Sequence, residues 1–212
     1  MHYRSLSETT LASAVRYLTG RDPDLARIVA SFGLPPMWAR EQGFGTLVHI
    51  ILEQQVSLAS ARAAFERLLA IASPLTPESF SRLGDDALRA AGFSRQKTAY
   101  CRHLAASILR GELDVAALAS SDDETVRIEL MQVKGVGRWT ADIYLLMALR
   151  RPDVWPSGDL ALSVAIQRIN RLEYRPTPEE LETYGARWRP WRAVAARVLW
   201  HYYLSEVRAA RA

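Results

Sequence analysis

An all-helical fold is predicted, and three observations predict it. Apolar residues recur at three- and four-residue spacing along most of the chain, as in Phe44, Leu47, Ile50 and Ile51. β-branched residues are sparse and nowhere alternate for more than a few positions, so no strand is expected. Caps, prolines and glycines interrupt the pattern often enough for about ten or more short helices. The first helix covers residues 4–18 and ends at Gly20. The second covers 22–32, with Asp22 as cap, Pro23 in the first turn and Gly33 as stop. Pro35-Pro36 marks a loop, and residues 44–54 carry the apolar stripe just named. Ser57 opens the next helix, with Ala61, Phe65, Leu68 and Leu69 on one face and Pro74 closing it. Thr76-Pro77-Glu78 and Gly84-Asp85 start two short helices, and Gly92 stops the second. A long helix runs over 94–110, followed by Gly111, and another over 122–131. Gly135-Val136-Gly137 is a tight turn before a strongly apolar helix over 139–149. A loop with Pro152 and Pro156 precedes helices over 159–172, 178–184 and 190–207. The loops are short and no linker is evident, so the 212 residues read as one domain.

Composition narrows the function class. Hydrophobic residues are 49% and charged residues 24%, which excludes wholesale disorder. The longest apolar run, 143–149, is far too short to span a membrane, so no membrane partner is expected. The opening Met1-His2-Tyr3-Arg4-Ser5 has no apolar signal region; a cytoplasmic location is expected, associated with the nucleoid in a bacterium. A single cysteine, Cys101, cannot close an internal disulfide or build a four-cysteine cluster. The net charge of +4 permits an anionic partner, but the charges are mixed along the chain without a basic tail.

Chemistry concentrates in two segments. In the first, Lys134-Gly135-Val136-Gly137-Arg138-Trp139-Thr140-Ala141, two glycines admit positive φ and keep side chains out of the way. The turn and the first amides of the next helix then suit a phosphate, with Lys134 and Arg138 adding charge and the Thr140 hydroxyl a donor. In the second, Pro156-Ser157-Gly158-Asp159, the aspartate falls at a helix start. An N-cap is one reading. A carboxylate held there by the dipole, beside a developing cation, is the other. His49, His103 and His201 are isolated and read as structural, as are Trp38, Phe44, Trp155, Trp188, Trp191 and Tyr203. Asp142 reads as a local cap or pair, Met147 as core and Cys101 as buried.

The hairpin, with Asp159 about twenty residues beyond it, resembles the helix-hairpin-helix (HhH-GPD) DNA glycosylases, most closely the AlkA-type 3-methyladenine DNA glycosylase II group. Gln54-Gln55-Val56-Ser57 and Trp188-Arg189-Pro190-Trp191-Arg192, followed by Trp200, extend the resemblance over residues 44–205. It implies a two-lobed helical fold with the active site in a cleft between lobes. One lobe would cover about 44–149, and the other about 1–43 plus 150–212. The extra N-terminal β-rich lobe of AlkA is expected to be missing.

The resemblance assigns roles residue by residue. Asp159 is the essential carboxylate, stabilising a sugar oxocarbenium ion or orienting water. Gly135, Gly137 and Thr140, with Lys134 and Arg138, hold a DNA phosphate. Gln55 is the wedge that fills the gap left by a flipped base. Trp139 and Trp200 wall the base pocket, with Ile143 where AlkA has a tyrosine. No cofactor is expected and no metal is required, although relatives often bridge hairpin and phosphate with a monovalent cation, here at the carbonyls of Met131, Val133 and Val136. The expected partner is duplex DNA carrying damaged bases, bound by a monomer. The implied activity is removal of 3-methyladenine- or 7-methylguanine-type bases, leaving an abasic site. Two alternatives are a glycosylase of the same fold for oxidised bases and a non-catalytic DNA-binding protein. Asp159 argues against the latter, because phosphate binding does not need it. Trp139 stands where lyase relatives carry a lysine, so no β-lyase activity is expected.

Overall fold

In the computed structural model residues 5–209 are described. Among them the chain forms twelve α-helices, one short 3-10 turn (Ala117–Ser120) and no strand. In order the helices are α1 (Glu8–Thr19), α2 (Pro23–Phe32), α3 (Phe44–Glu53), α4 (Leu58–Ile71), α5 (Pro77–Ser81) and α6 (Asp85–Ala90). They continue as α7 (Arg95–Leu109), α8 (Asp123–Met131), α9 (Arg138–Met147), α10 (Leu160–Ile169), α11 (Pro178–Ala186) and α12 (Arg192–Ala209). The chain divides into two compact units. One holds Arg40–Leu149, hence α3 to α9; the other holds the described residues up to Ala39 together with the described residues from Arg150 on, hence α1, α2 and α10 to α12.

Within the first unit α3 packs on α4, α7 and α9, while α8 lies along α9. Leu47, Ile50 and Ile51 of α3, Leu68 of α4, Leu104 of α7 and Leu145 of α9 are fully buried there. Each contributes about 1.5–3 kcal/mol of hydrophobic stabilisation. Within the second unit α12 packs on α1, α2, α10 and α11, burying Leu11, Leu25, Leu162, Ile166 and Val198.

Local caps set most helix starts. Ser7 and Thr10 form a capping box, so α1 begins at Glu8 rather than at residue 4, which lies outside the described residues. Asp22, Ser57, Thr76, Ser94, Asp122 and Thr177 each accept first-turn amides of the helix they open. The apolar helix after the hairpin spans Arg138–Met147 and stops short of residue 149, because the Ala148 and Leu149 amides both return to the Tyr144 carbonyl. α10 ends at Ile169, since Arg171 takes up a left-handed φ of 52°. The last helix starts at Arg192 rather than Pro190. Its first two amides are satisfied from the 150–158 loop: Arg192 N–H donates to Asp153 Oδ1 at 3.2 Å and Ala193 N–H to the Pro152 carbonyl at 3.1 Å. The Arg192 guanidinium adds contacts to the Asp153 carboxylate and carbonyl at 2.6–3.1 Å.

Candidate functional site

The hairpin joins α8 to α9, and its two glycines play different parts. Gly135 has a φ of 88°, and a Cβ there would run into the Tyr100 ring of α7. Gly137 is extended (φ −98°, ψ 179°), and a Cβ there would meet nothing within 4 Å. The expected need for positive φ therefore holds at Gly135 alone; what Gly137 leaves open is the approach to the turn. It is also the N-cap of α9 and offers no side-chain cap. Ala141 N–H donates to the Gly137 carbonyl at 3.1 Å and closes the first turn of the helix. The helix dipole adds partial positive charge at this end of α9.

Other hairpin groups are already committed. Lys134 N–H donates to His103 Nδ1 at 3.2 Å, and Val136 N–H to the Val133 carbonyl at 3.0 Å. The Lys134 and Arg138 side chains are exposed, as a phosphate contact requires. Thr140 departs from its expected part. It is 1% exposed, and its hydroxyl accepts from Gln54 Nε2 at 3.0 Å, so the side chain faces inward and supplies no outward donor. Asp142, read as a local cap or pair, has a local partner in Arg138, whose Nε lies 3.8 Å from Oδ2, and also reaches α8, where Arg127 Nε donates to its Oδ1 at 2.7 Å.

Two contrasting variants follow. Gly137→Ala is expected to melt within about 2 °C of the parent and to bind any duplex more weakly, because only the phosphate approach is obstructed. Gly135→Ala is expected to lose about 2 kcal/mol or more of stability, from the left-handed φ and the collision with Tyr100. Thermal melts paired with duplex titrations separate the two effects.

Gln55 lies in the short connection between α3 and α4. It is exposed, with a left-handed φ of 56°, and the neighbouring Val56 and Leu58 are exposed as well. Gln54, one position earlier, points the other way: its Nε2 donates to the Gly135 carbonyl at 2.9 Å as well as to Thr140. The end of α3 is fastened again by Lys97 of α7, whose Nζ donates to the Leu52 carbonyl at 2.6 Å. Burial lowers the Lys97 pKa below that of an ordinary lysine. Trp139 is half-buried, whereas Ile143 is 2% exposed, belongs to the core and has no face to offer a base.

Asp159, in the second unit, is the N-cap of α10 and is 9% exposed. Its Oδ1 accepts two N–H groups, from Leu162 of its own helix at 2.9 Å and from Trp200 Nε1 of α12 at 2.9 Å. The cap reading therefore holds, and the bond from Trp200 orients the carboxylate beyond what a cap requires. Trp200 changes its expected role. At 7% exposed, with its N–H given to Asp159 and its ring edge-on to Trp38 at 6.4 Å, it holds the carboxylate rather than walling a pocket. Trp155 and Trp188 are buried packing residues 5.3 Å apart, donating to the Leu181 carbonyl and to Asp22. Trp200→Phe keeps the packing and removes the donor. It is expected to slow the catalysed step about ten-fold with duplex affinity unchanged, measured as a single-turnover rate against a binding constant.

The three histidines among the described residues are all engaged. His49 stacks on Phe65 at 4.3 Å, and burial lowers its pKa. His103 receives the hairpin amide, and His201 Nε2 is 2.8 Å from the Phe32 carbonyl. Among the described residues no group of three or more His, Cys, Asp and Glu could hold a metal ion. Of the three hairpin carbonyls suggested for a monovalent cation, that of Val133 already accepts one amide, and that of Met131 is at the end of α8, where helical donors run out.

Residues 48–190 match the family model of the HhH-GPD superfamily base excision DNA repair proteins. The chain is 28% identical over 200 residues to DNA-3-methyladenine glycosylase 1 of Schizosaccharomyces pombe, a match covering 91% of this chain and 87% of that protein. Among solved structures, the S. pombe 3-methyladenine DNA glycosylase in complex with abasic DNA superposes with a TM-score of 0.83 at 29% identity, covering 89% of this chain and 95% of the other. The DNA-3-methyladenine glycosidase of Bacillus halodurans gives 0.73 at 29% identity, covering 98% and 95%.

Proposed function

Because the chain belongs to the HhH-GPD superfamily of base excision DNA repair proteins, we propose that it is a monofunctional DNA glycosylase. On this reading it hydrolyses 3-methyladenine- and 7-methylguanine-type bases from duplex DNA and leaves an abasic site. The observation that carries the reading is Asp159: a carboxylate fixed by two donors on one oxygen, in a chain whose phosphate-binding hairpin has no use for it. The glycosylases it resembles support the substrate class.

A base inside a duplex is out of reach and must be flipped out. The start of α9, with the exposed Lys134 and Arg138 side chains, holds a backbone phosphate. Gln55 fills the vacated space and offers its amide to the orphaned partner base. A purine methylated at N3 or N7 is cationic, and the indole face of Trp139 attracts it by about 0.5–2 kcal/mol. The bond from C1′ to the base nitrogen breaks with its electron pair passing to the base, which leaves neutral, so no strong general acid is required. The sugar becomes an oxocarbenium ion. Asp159, already oriented by Leu162 and Trp200, stabilises that charge without reorganising, which is the source of electrostatic catalysis. Water adds to C1′ and gives up a proton. The carbonyls of Met131, Val133 and Val136 are the groups that would hold a monovalent cation, which would add positive charge at the hairpin.

Strand cleavage would need an amine nucleophile at C1′. The chain has two lysines: Lys134 on the hairpin, and Lys97, whose ammonium is occupied by the Leu52 carbonyl. The deciding experiment incubates the protein with duplexes bearing 3-methyladenine, 7-methylguanine or 8-oxoguanine. Release of free methylated purine, with strands that break only after alkali, is the expected result. Intact methylated duplex despite measurable binding would overturn the proposal. Borohydride is expected to trap no protein–DNA adduct; an adduct that vanishes in Lys97→Ala would establish lyase chemistry instead.

A further inference from the structure

Gln54 has no assigned part in phosphate binding, base displacement or bond cleavage, yet it joins the two elements that perform the first two. Its side-chain amide has two hydrogens, and the nitrogen lies 2.9 Å from the Gly135 carbonyl and 3.0 Å from Thr140 Oγ1. One acceptor is in the hairpin turn and the other in the first turn of α9. The next residue in the chain is Gln55, exposed and left-handed at φ 56°. The wedge therefore begins one residue from a side chain that spans the phosphate-binding turn. Helix α7 supports the same junction from one face. Lys97 donates to the Leu52 carbonyl just before Gln54, Tyr100 lies against Gly135, and His103 receives the Lys134 amide. Residues three apart share a helix face, so one side of α7 carries all three supports.

We infer that Gln54 is a positioning residue that couples the wedge to the phosphate grip, so that seizing the strand and displacing the base are one event. The physical ground is preorganisation. The left-handed turn at Gln55 is fixed upstream by the Gln54 amide and downstream by Ser57, whose Oγ caps α4. With the amide gone, the short tip between them is free to relax, and the gain from inserting Gln55 no longer depends on how the hairpin sits on its phosphate. The inference rests on the base-flipping function proposed above.

The test is a double-mutant cycle on binding, read with a duplex containing a tetrahydrofuran abasic analogue and with the undamaged duplex of the same sequence. Gln55→Ala and Lys134→Ala are measured singly and together, in the parent and in Gln54→Met, which keeps the side-chain length and removes both donated bonds. In the parent the double variant is expected to lose less than the product of the single losses, by about five-fold or more. In Gln54→Met the losses are expected to multiply to within about two-fold. Thr140→Val removes one of the two acceptors and is expected to give an intermediate coupling; it decides the matter alone should Gln54→Met not fold. Coupling that is absent in the parent, or unchanged in the folded variants, overturns the inference and leaves the proposed function standing. A parent that does not prefer the abasic analogue overturns both.

Discussion

Asp159→Asn is expected to lower base release about a thousand-fold or more, with the fold and the duplex affinity retained. Asparagine is as good an N-cap as aspartate, and its carbonyl can still accept from Leu162 N–H and Trp200 Nε1. What disappears is the negative charge beside the developing oxocarbenium ion. The loss should appear wholly in the single-turnover rate, and the melting temperature should stay within about 2 °C of the parent. Near-normal excision by the asparagine variant would remove Asp159 from the catalytic machinery. Read beside Trp200→Phe, it separates two requirements, since one variant removes the charge and the other loosens its orientation.

Asp142→Ala is expected to be the most damaging single change to the fold near the hairpin. Asp142 is 1% exposed and its carboxylate holds Arg127 Nε at 2.7 Å, across from α9 to α8, the two limbs of the hairpin. Arg127 is itself largely buried, and its other carboxylate partner, Glu124, is mostly exposed. Removing Asp142 leaves a buried guanidinium without its principal counter-charge, a loss of about 3–5 kcal/mol. For a chain of this size that lowers the melting temperature by roughly 6–20 °C. Duplex binding should fall with it, since the proposed phosphate grip is the hairpin that joins these limbs. Arg127→Met combined with Asp142→Leu should recover most of the stability, because replacing both charges removes the desolvation penalty. A melting shift below about 2 °C for Asp142→Ala would show that the pair does not brace the hairpin.

What could be read from the sequence was local. Ser57, Ser94, Asp122 and Asp159 announce helix starts because a cap reaches its amides within three residues. The all-helical class followed from spacing for the same reason, and the family from short motifs. What could not be read depends on residues far apart in the chain. Trp200 and Asp159 are separated by 41 positions, and nothing near Trp200 signals that its N–H rather than its ring face would matter. Gln54 and Gln55 are identical side chains in adjacent positions, and only the packing of α3 beside the hairpin turns one inward and leaves the other outside. Thr140 looked available because first-turn hydroxyls often are; its burial is a consequence of the same packing. Lys97 gave no hint of meeting α3, since its partner carbonyl is 45 residues away.

The segment leading into Asp159 is tied to α12 at two places: Asp153 and Pro152 at the helix start, and Asp159 itself at Trp200. From Arg192 to Trp200 is two helical turns and a little more, about 12 Å of rigid rod. The helix thus serves as a gauge, setting how far the loop must travel before it delivers its carboxylate. One residue inserted between those ties would rotate the indole by about 100° and carry it off the aspartate, although every side chain in the loop were unchanged. Insertions should therefore be rejected inside this stretch of α12 and better accepted beside Tyr174, which stands in the open in the connection between α10 and α11.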